Sequence, residues 1–125
     1  MLRQRPVILV VEDEVLIRMG AVDIVEHAGF EAVEAANADS AIEILERRPD
    51  IRLVFTDVDM PGTMDGVKLA HYIRNRWPPI LLIVTSGKGA VEEKALPAGA
   101  RFFGKPYSEH GITNAMRHML EVGPG

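Results

Sequence analysis

Unbroken apolar runs alternate along the chain with segments of helical periodicity. Three runs stand out: VILVV at Val7–Val11, LVF at Leu53–Phe55 and ILLIV at Ile80–Val84. Short runs rich in Val and Ile, apolar at every position, suit strands covered on both faces, as in a parallel sheet. Two weaker segments, EAVEAA at Glu31–Ala36 and RFFG at Arg101–Gly104, are mixed or short and suit edge strands. After Glu14, the apolar residues Val15, Met19, Val22 and Val25 recur at helical spacing until Gly29 closes the segment. Asn37 can cap a helix with Ala38, Ala41, Ile42 and Leu45 inward, and Asp65 another with Leu69, Ala70 and Ile73 inward. The clearest stripe is Ile112, Ala115, Met116, Met119 and Leu120. The segment Ala90–Gly99 is poorly periodic and contains Pro97, so the fourth helix is expected to be short or irregular.

Strand and helix thus alternate five times, which predicts an α/β domain with right-handed crossovers and helices on both faces of the sheet. The run pattern puts the first, third and fourth strands in the middle and the second and fifth at the edges. The doubly wound five-stranded parallel order 2-1-3-4-5 satisfies that arrangement. No repeat, linker or low-complexity segment interrupts it. Residues 1–125 read as a single domain with its core over about 6–122 and a frayed VGPG end.

Composition narrows the classes. A chain of 125 residues is one domain by length and can bury a core without staples. The net charge is −4 and the Lys and Arg residues are scattered, so direct nucleic-acid binding has no compositional support. The absence of Cys excludes disulfides, zinc-thiolate sites and thiol catalysis. No apolar run approaches membrane-spanning length, and the stretch after MLRQRP is too short for a signal-peptide core. A cytoplasmic protein with no membrane partner is expected.

The residues that end the strands carry the chemistry, because ligands of open parallel sheets bind beyond the carboxyl ends of the strands. Glu12, Asp13 and Glu14 follow the first strand; Asp57 and then Asp59 end the third. Thr85, Ser86 and Gly87 follow the fourth, and Lys105 and Pro106 the fifth. Any one of these is more often a solvated loop residue, but together they form an acidic cluster beside a hydroxyl and an ammonium. Crowded carboxylates repel unless neutralised, and Mg²⁺ is a cation that takes one or two carboxylates and keeps several waters. Such a site can accept a phosphoryl group, with the metal, Lys105 and Ser86 on its oxygens. Asp57, at the end of a central strand, is the best-placed nucleophile for an acyl phosphate.

The motifs ILVVEDE (Ile8–Glu14), VFTDVDMPGTMDG (Val54–Gly66), IVTSG (Ile83–Gly87) and GARFFGKPY (Gly99–Tyr107) occur in this order. Over nearly the whole chain the sequence resembles the receiver domain of bacterial two-component response regulators. The resemblance implies a flavodoxin-like fold and a signalling module rather than an enzyme with its own substrate. It implies that Asp57 is phosphorylated by a sensor histidine kinase or a histidine phosphotransfer protein. It further implies Mg²⁺ held by Asp13, Asp57 and the backbone carbonyl of Asp59, with Glu12 acting through water. Lys105 matches the family lysine, and the Lys105–Pro106 bond matches one that is cis in the family. Ser86, or alternatively Thr85, matches the switch hydroxyl, and Phe102 matches the rotating aromatic of the fifth strand. An edge-strand aromatic packed under a helix is the competing reading of Phe102. Residues 1–125 hold no output module after the last helix, so the expectation is a stand-alone receiver acting on an unidentified output protein, or else a receiver excised from a longer chain.

Three departures from the family pattern are visible. MPGTMDG is one residue longer than the usual MPGMDG, and the fourth-helix region is shortened. Asp59 and Lys88 lie two residues past Asp57 and Ser86, positions that the resemblance implies flank the route of attacking water. Two other functions compete. DVDMPGT faintly resembles the DxDGT motif of haloacid-dehalogenase phosphohydrolases, but it follows the third strand and leaves no room for a substrate cap. A nucleotide or flavin binder would need a Gly-rich or hydroxyl-rich loop after the first strand, where the acidic EDEV repels phosphate.

Overall fold

A computed structural model describes residues 5–62, 64–87 and 93–122. Along the chain run β1 (Val7–Val11), α1 (Val15–His27), β2 (Glu31–Ala35), α2 (Ala38–Arg47), β3 (Ile51–Asp57), α3 (Gly66–Arg76), β4 (Leu81–Ser86), β5 (Arg101–Gly104) and α4 (Glu109–Val122). The five strands form one parallel sheet in the order β2-β1-β3-β4-β5, as the run pattern predicts. The mixed segments are indeed the edges, and the third strand is longer at both ends than its apolar run.

Side chains alternate across each strand, so the sheet feeds two cores. On one face Leu9, Val11, Val54, Leu82 and Val84 pack against α2 and α3 through Ala41, Leu45, Leu69 and Ile73. On the other, Ile8, Val10, Leu53, Phe55 and Ile83 meet α1 and α4 through Ile24, Val25, Ile112 and Met116. A slip in the β1–β3 register skips Arg52, so Ile51 and Leu53 serve opposite cores although two residues apart. The helix starts follow the sequence signals. Asn37 Oδ1 accepts from the Ser40 amide at 2.8 Å, and Asp65 Oδ1 from the Lys68 amide at 2.9 Å. Gly29, at φ 97°, takes the left-handed turn that ends α1.

One expectation needs revision. The apolar spacing in α1 does not mark one inward stripe: Val15, Leu16 and Met19 are exposed, and the buried residues are Ala21, Ile24 and Val25. The helix starts at the acidic loop, and its face reaches the sheet only in its later turns. Between β4 and β5 the described residues hold a single 3₁₀ turn, Glu93–Ala95, and no α-helix. Leu96 beside it is buried in the α2–α3 core, and Pro97 then interrupts the helical pattern. Thr63 of MPGTMDG, Lys88 and the last three residues of VGPG, all within segments singled out in the sequence, lie outside the described residues.

Truncating a fully buried α4 residue leaves a cavity, whereas an exposed α1 residue has no cavity to leave. Met116→Ala should therefore cost about 2–5 kcal/mol in urea unfolding. Leu16→Ala, at a residue 81% exposed, should change stability by no more than about 0.5 kcal/mol.

Candidate functional site

The carboxyl ends of β1, β3 and β5 bring one constellation together. Glu12 follows β1, Asp57 ends β3 and Lys105 follows β5; Glu12 and Asp57 are each only 4% exposed. Lys105 Nζ lies 3.2 Å from Glu12 Oε1 and 3.3 Å from Asp57 Oδ1. Glu12 Oε2 accepts from the Glu14 amide at 3.1 Å, so this carboxylate is held at both oxygens. Asp13 completes the group: Glu12, Asp13 and Asp57 each offer an oxygen within 4.8 Å of the others. The Lys105–Pro106 peptide bond is cis.

The backbone around these residues is pinned. The Arg18 guanidinium donates to the Glu12 carbonyl at 2.8 Å and to Glu34 Oε1 at 3.0 Å, tying α1 to the ends of β1 and β2. The Val58 amide donates to the Thr85 carbonyl at 2.8 Å, and the Lys105 amide to the Ser86 carbonyl at 2.9 Å. Gly66 is packed so tightly that a Cβ there would overlap the Asp57 carbonyl oxygen and stand 2.7 Å from Val58 Cα. Only glycine lets α3 start against the end of β3.

An open cleft of about 770 Å³ lies over the constellation. Among the described residues its lining has six carboxylates, from Glu12 to Asp65, against the one ammonium of Lys105. The electrostatics follow from burial and charge. Burial pushes the Glu12 and Asp57 carboxyls above their ordinary values, and their mutual repulsion adds to it for Glu12. Burial acts to lower Lys105, but the two carboxylates outweigh it and hold the ammonium above its usual value. The Asp57 Oδ1–Lys105 contact lacks hydrogen-bond alignment, leaving that buried oxygen without a donor among the described residues. An unsatisfied carboxylate oxygen within reach of two other carboxylates fits an oxygen-seeking divalent cation.

Ser86 and Thr85, adjacent in β4, point to opposite sides. Thr85 borders a small hollow with Ala21, Phe55 and Tyr107, on the α1–α4 side. Ser86 shares the parity of Val84, which packs on the α2–α3 side. The Ser86 hydroxyl donates to Asp59 Oδ2 at 2.9 Å. Asp59 also lines the cleft, but its carboxylate turns toward β4 and is not in the group formed by Glu12, Asp13 and Asp57. Phe102 stands outside the cleft. It pairs in register with Val84 and packs, half-buried, against the α2–α3 core.

Three contributors carried no role in the sequence reading. Arg18 lies one helical turn past Glu14, and only its distant partners reveal its use. Gly66 was visible only as the end of a motif. Tyr107, edge-on to Phe55 with ring centroids 5.6 Å apart, has its hydroxyl pushed up by burial.

A family model described as a response regulator receiver domain matches residues 8–117. The chain belongs to that family. Receiver domains act as phosphoacceptors in two-component signalling, bind Mg²⁺ at an acidic pocket and take phosphate from histidine kinases or phosphotransfer proteins. Among relatives, this receiver is 36% identical over 118 residues to the sensor kinase CckA of Brucella abortus, covering 91% of this chain and 12% of that one. It is 34% identical over 122 residues to the response regulator protein FleR of Pseudomonas aeruginosa, covering 94% of this chain and 25% of that protein. The chain thus spans a quarter or less of the length of these two relatives. A response regulator receiver protein from Pseudomonas putida superposes with a TM-score of 0.82 at 28% identity, covering 94% of this chain and 99% of that one. Among the described residues, no helix is long and apolar enough to cross a membrane.

Removing one buried charge from the cluster relieves repulsion and desolvation while leaving the Lys105–Glu12 pair. Without metal, Asp57→Asn should raise the thermal midpoint by a few degrees. Added Mg²⁺ should stabilise the wild type in a concentration-dependent way and the variant far less. Gly66→Ala should cost about 1–3 kcal/mol by overpacking, read in urea unfolding.

Proposed function

We propose that Asp57 accepts a phosphoryl group from a phosphohistidine of a sensor histidine kinase or a histidine phosphotransfer protein. The observation that carries this reading is the convergence of Glu12, Asp13 and Asp57, with Lys105 against two of them. An Asp57 carboxylate oxygen attacks phosphorus as the P–N bond to the donor imidazole breaks. The product is an acyl phosphate, and the imidazole leaves with the bonding electron pair. Lys105 places a fixed positive charge where the transferred oxygens gather charge, and Glu12 and Asp57 position that ammonium from two sides.

Asp13, Asp57 and the Asp59 carbonyl would hold Mg²⁺, with Glu12 reached through water. The ion would offset the acidic cleft and stabilise charge on the phosphoryl oxygens. Ser86 is the switch hydroxyl in this reading, preferred over Thr85 because it lies on the side of the sheet where Phe102 packs. Its movement toward the phosphoryl group would free the space into which Phe102 turns, altering the surface around β5 that an output protein reads. Residues 1–125 then act as one receiver domain. The phosphohydrolase alternative would need Asp59 as a free acid/base, and its carboxylate is instead engaged by Ser86.

Acetyl phosphate with Mg²⁺ tests the assignment directly. Intact mass spectrometry should show one added phosphoryl group on the wild type and none on Asp57→Asn. Labelling of that variant to the same extent as wild type would refute Asp57 as the acceptor. Lys105→Ala should keep the fold but slow labelling at least about ten-fold, the scale of removing one charge-assisted contact.

A further inference from the structure

The engagement of the Asp59 carboxylate is not explained by the acceptor chemistry. Asp59 Oδ2 takes the Ser86 hydroxyl at 2.9 Å and the Gly87 amide at 3.3 Å. These are a hydroxyl and a backbone N–H at the end of β4, the two donor types suited to an anion beside Asp57. Asp59 is itself an anion, placed two residues after the acceptor and facing them. The side chain stays outside the group that could hold a cation.

We infer that the Asp59 side chain is a latch, which competes with a phosphoryl group on Asp57 for the Ser86 hydroxyl and the Gly87 amide. This rests on the acceptor reading of Asp57 and extends it to regulation of the same site. The competition is forced by valence: a serine hydroxyl has one proton, so it cannot donate fully to Asp59 and to a phosphoryl oxygen at once. In the resting protein Asp59 wins, because its charged oxygen is already in place. A phosphoryl group brings nearly two negative charges and three acceptor oxygens. It takes the hydroxyl and repels the Asp59 carboxylate, whose charge already acts against ionisation of Asp57.

Release of the latch has somewhere to go. The Ser86 carbonyl holds the Lys105 amide at 2.9 Å, and Ser86 pairs in register with Gly104. Two residues back along both strands, Val84 pairs with Phe102. A shift at Ser86 therefore pulls on β5 beside both the ammonium and the aromatic. Asp59 is in this sense a positioning residue that sets the energy of the resting state. Its side chain raises the threshold for switching.

The test measures affinity for beryllium fluoride with Mg²⁺, a phosphoryl mimic, by calorimetric titration in a double-mutant cycle. Asp59→Ala keeps the backbone carbonyl and should tighten binding about ten-fold, the scale of one hydrogen bond to a charged group. Asp59→Asn keeps an uncharged acceptor, should fold like the wild type, and should give an intermediate gain. In a Ser86→Ala background the gain from Asp59→Ala should fall below about three-fold, since the hydroxyl is no longer contested and only charge relief and the Gly87 amide remain. An equal gain in both backgrounds would reduce Asp59 to simple charge repulsion and overturn the latch, as would no gain from either Asp59 variant. Acetyl phosphate labelling separates the two claims. Labelled wild type with equal gains in the two backgrounds sinks the latch alone, whereas unlabelled wild type sinks the acceptor reading.

Discussion

The ammonium of Lys105, set between the buried carboxylates of Glu12 and Asp57, joins the ends of three strands that are far apart in the chain. Desolvation pushes both carboxyls up, and the ammonium acts on each in the opposite direction. Yet one positive charge does not balance the three carboxylates that meet there. That residual imbalance is the physical basis of the site: it favours a divalent cation and, through it, an anion that would otherwise be repelled.

The sheet is what makes this imbalance sustainable. Both faces are covered, by α2 and α3 on one side and α1 and α4 on the other, so strands β1, β3 and β4 are buried to their last residues. Backbone bonds then carry the order past the strand ends, from Val58 to Thr85 and from Lys105 to Ser86. The short carboxylates are placed by the backbone they hang from, and the longer Lys105 side chain reaches across to meet them.

Much of this could be read in the residue pattern, for physical reasons. Strands buried on both faces leave continuous Val and Ile runs, and the cap residues Asn37 and Asp65 act through local hydrogen bonds that sequence spacing reports. Strand ends are fixed once the strands are, which is why Glu12, Asp57 and Lys105 group together from the sequence alone. What could not be read depended on distant partners. Val15, Leu16 and Met19 have the spacing of a buried face, but spacing does not say which turns of a helix reach the sheet. That Thr85 and Ser86 face opposite sides of the sheet, with Ser86 bonded to Asp59, needs the register of β4 against its neighbours. The Asp59 carboxylate is local in sequence to Asp57 yet bonds to residues nearly thirty positions away.

Gly66 links the start of α3 to the Asp57 carbonyl with no space for a side chain, while its amide donates to the Val58 carbonyl at 3.1 Å. The loop between Asp57 and Gly66 is therefore anchored at both feet, like an arch on two fixed piers. Between these supports the Asp59 carboxylate is tied to the end of β4 and Met60 is buried in the α2–α3 core. Diversification of this segment, by evolution or by design, is constrained at its two abutments and again at Asp59 and Met60.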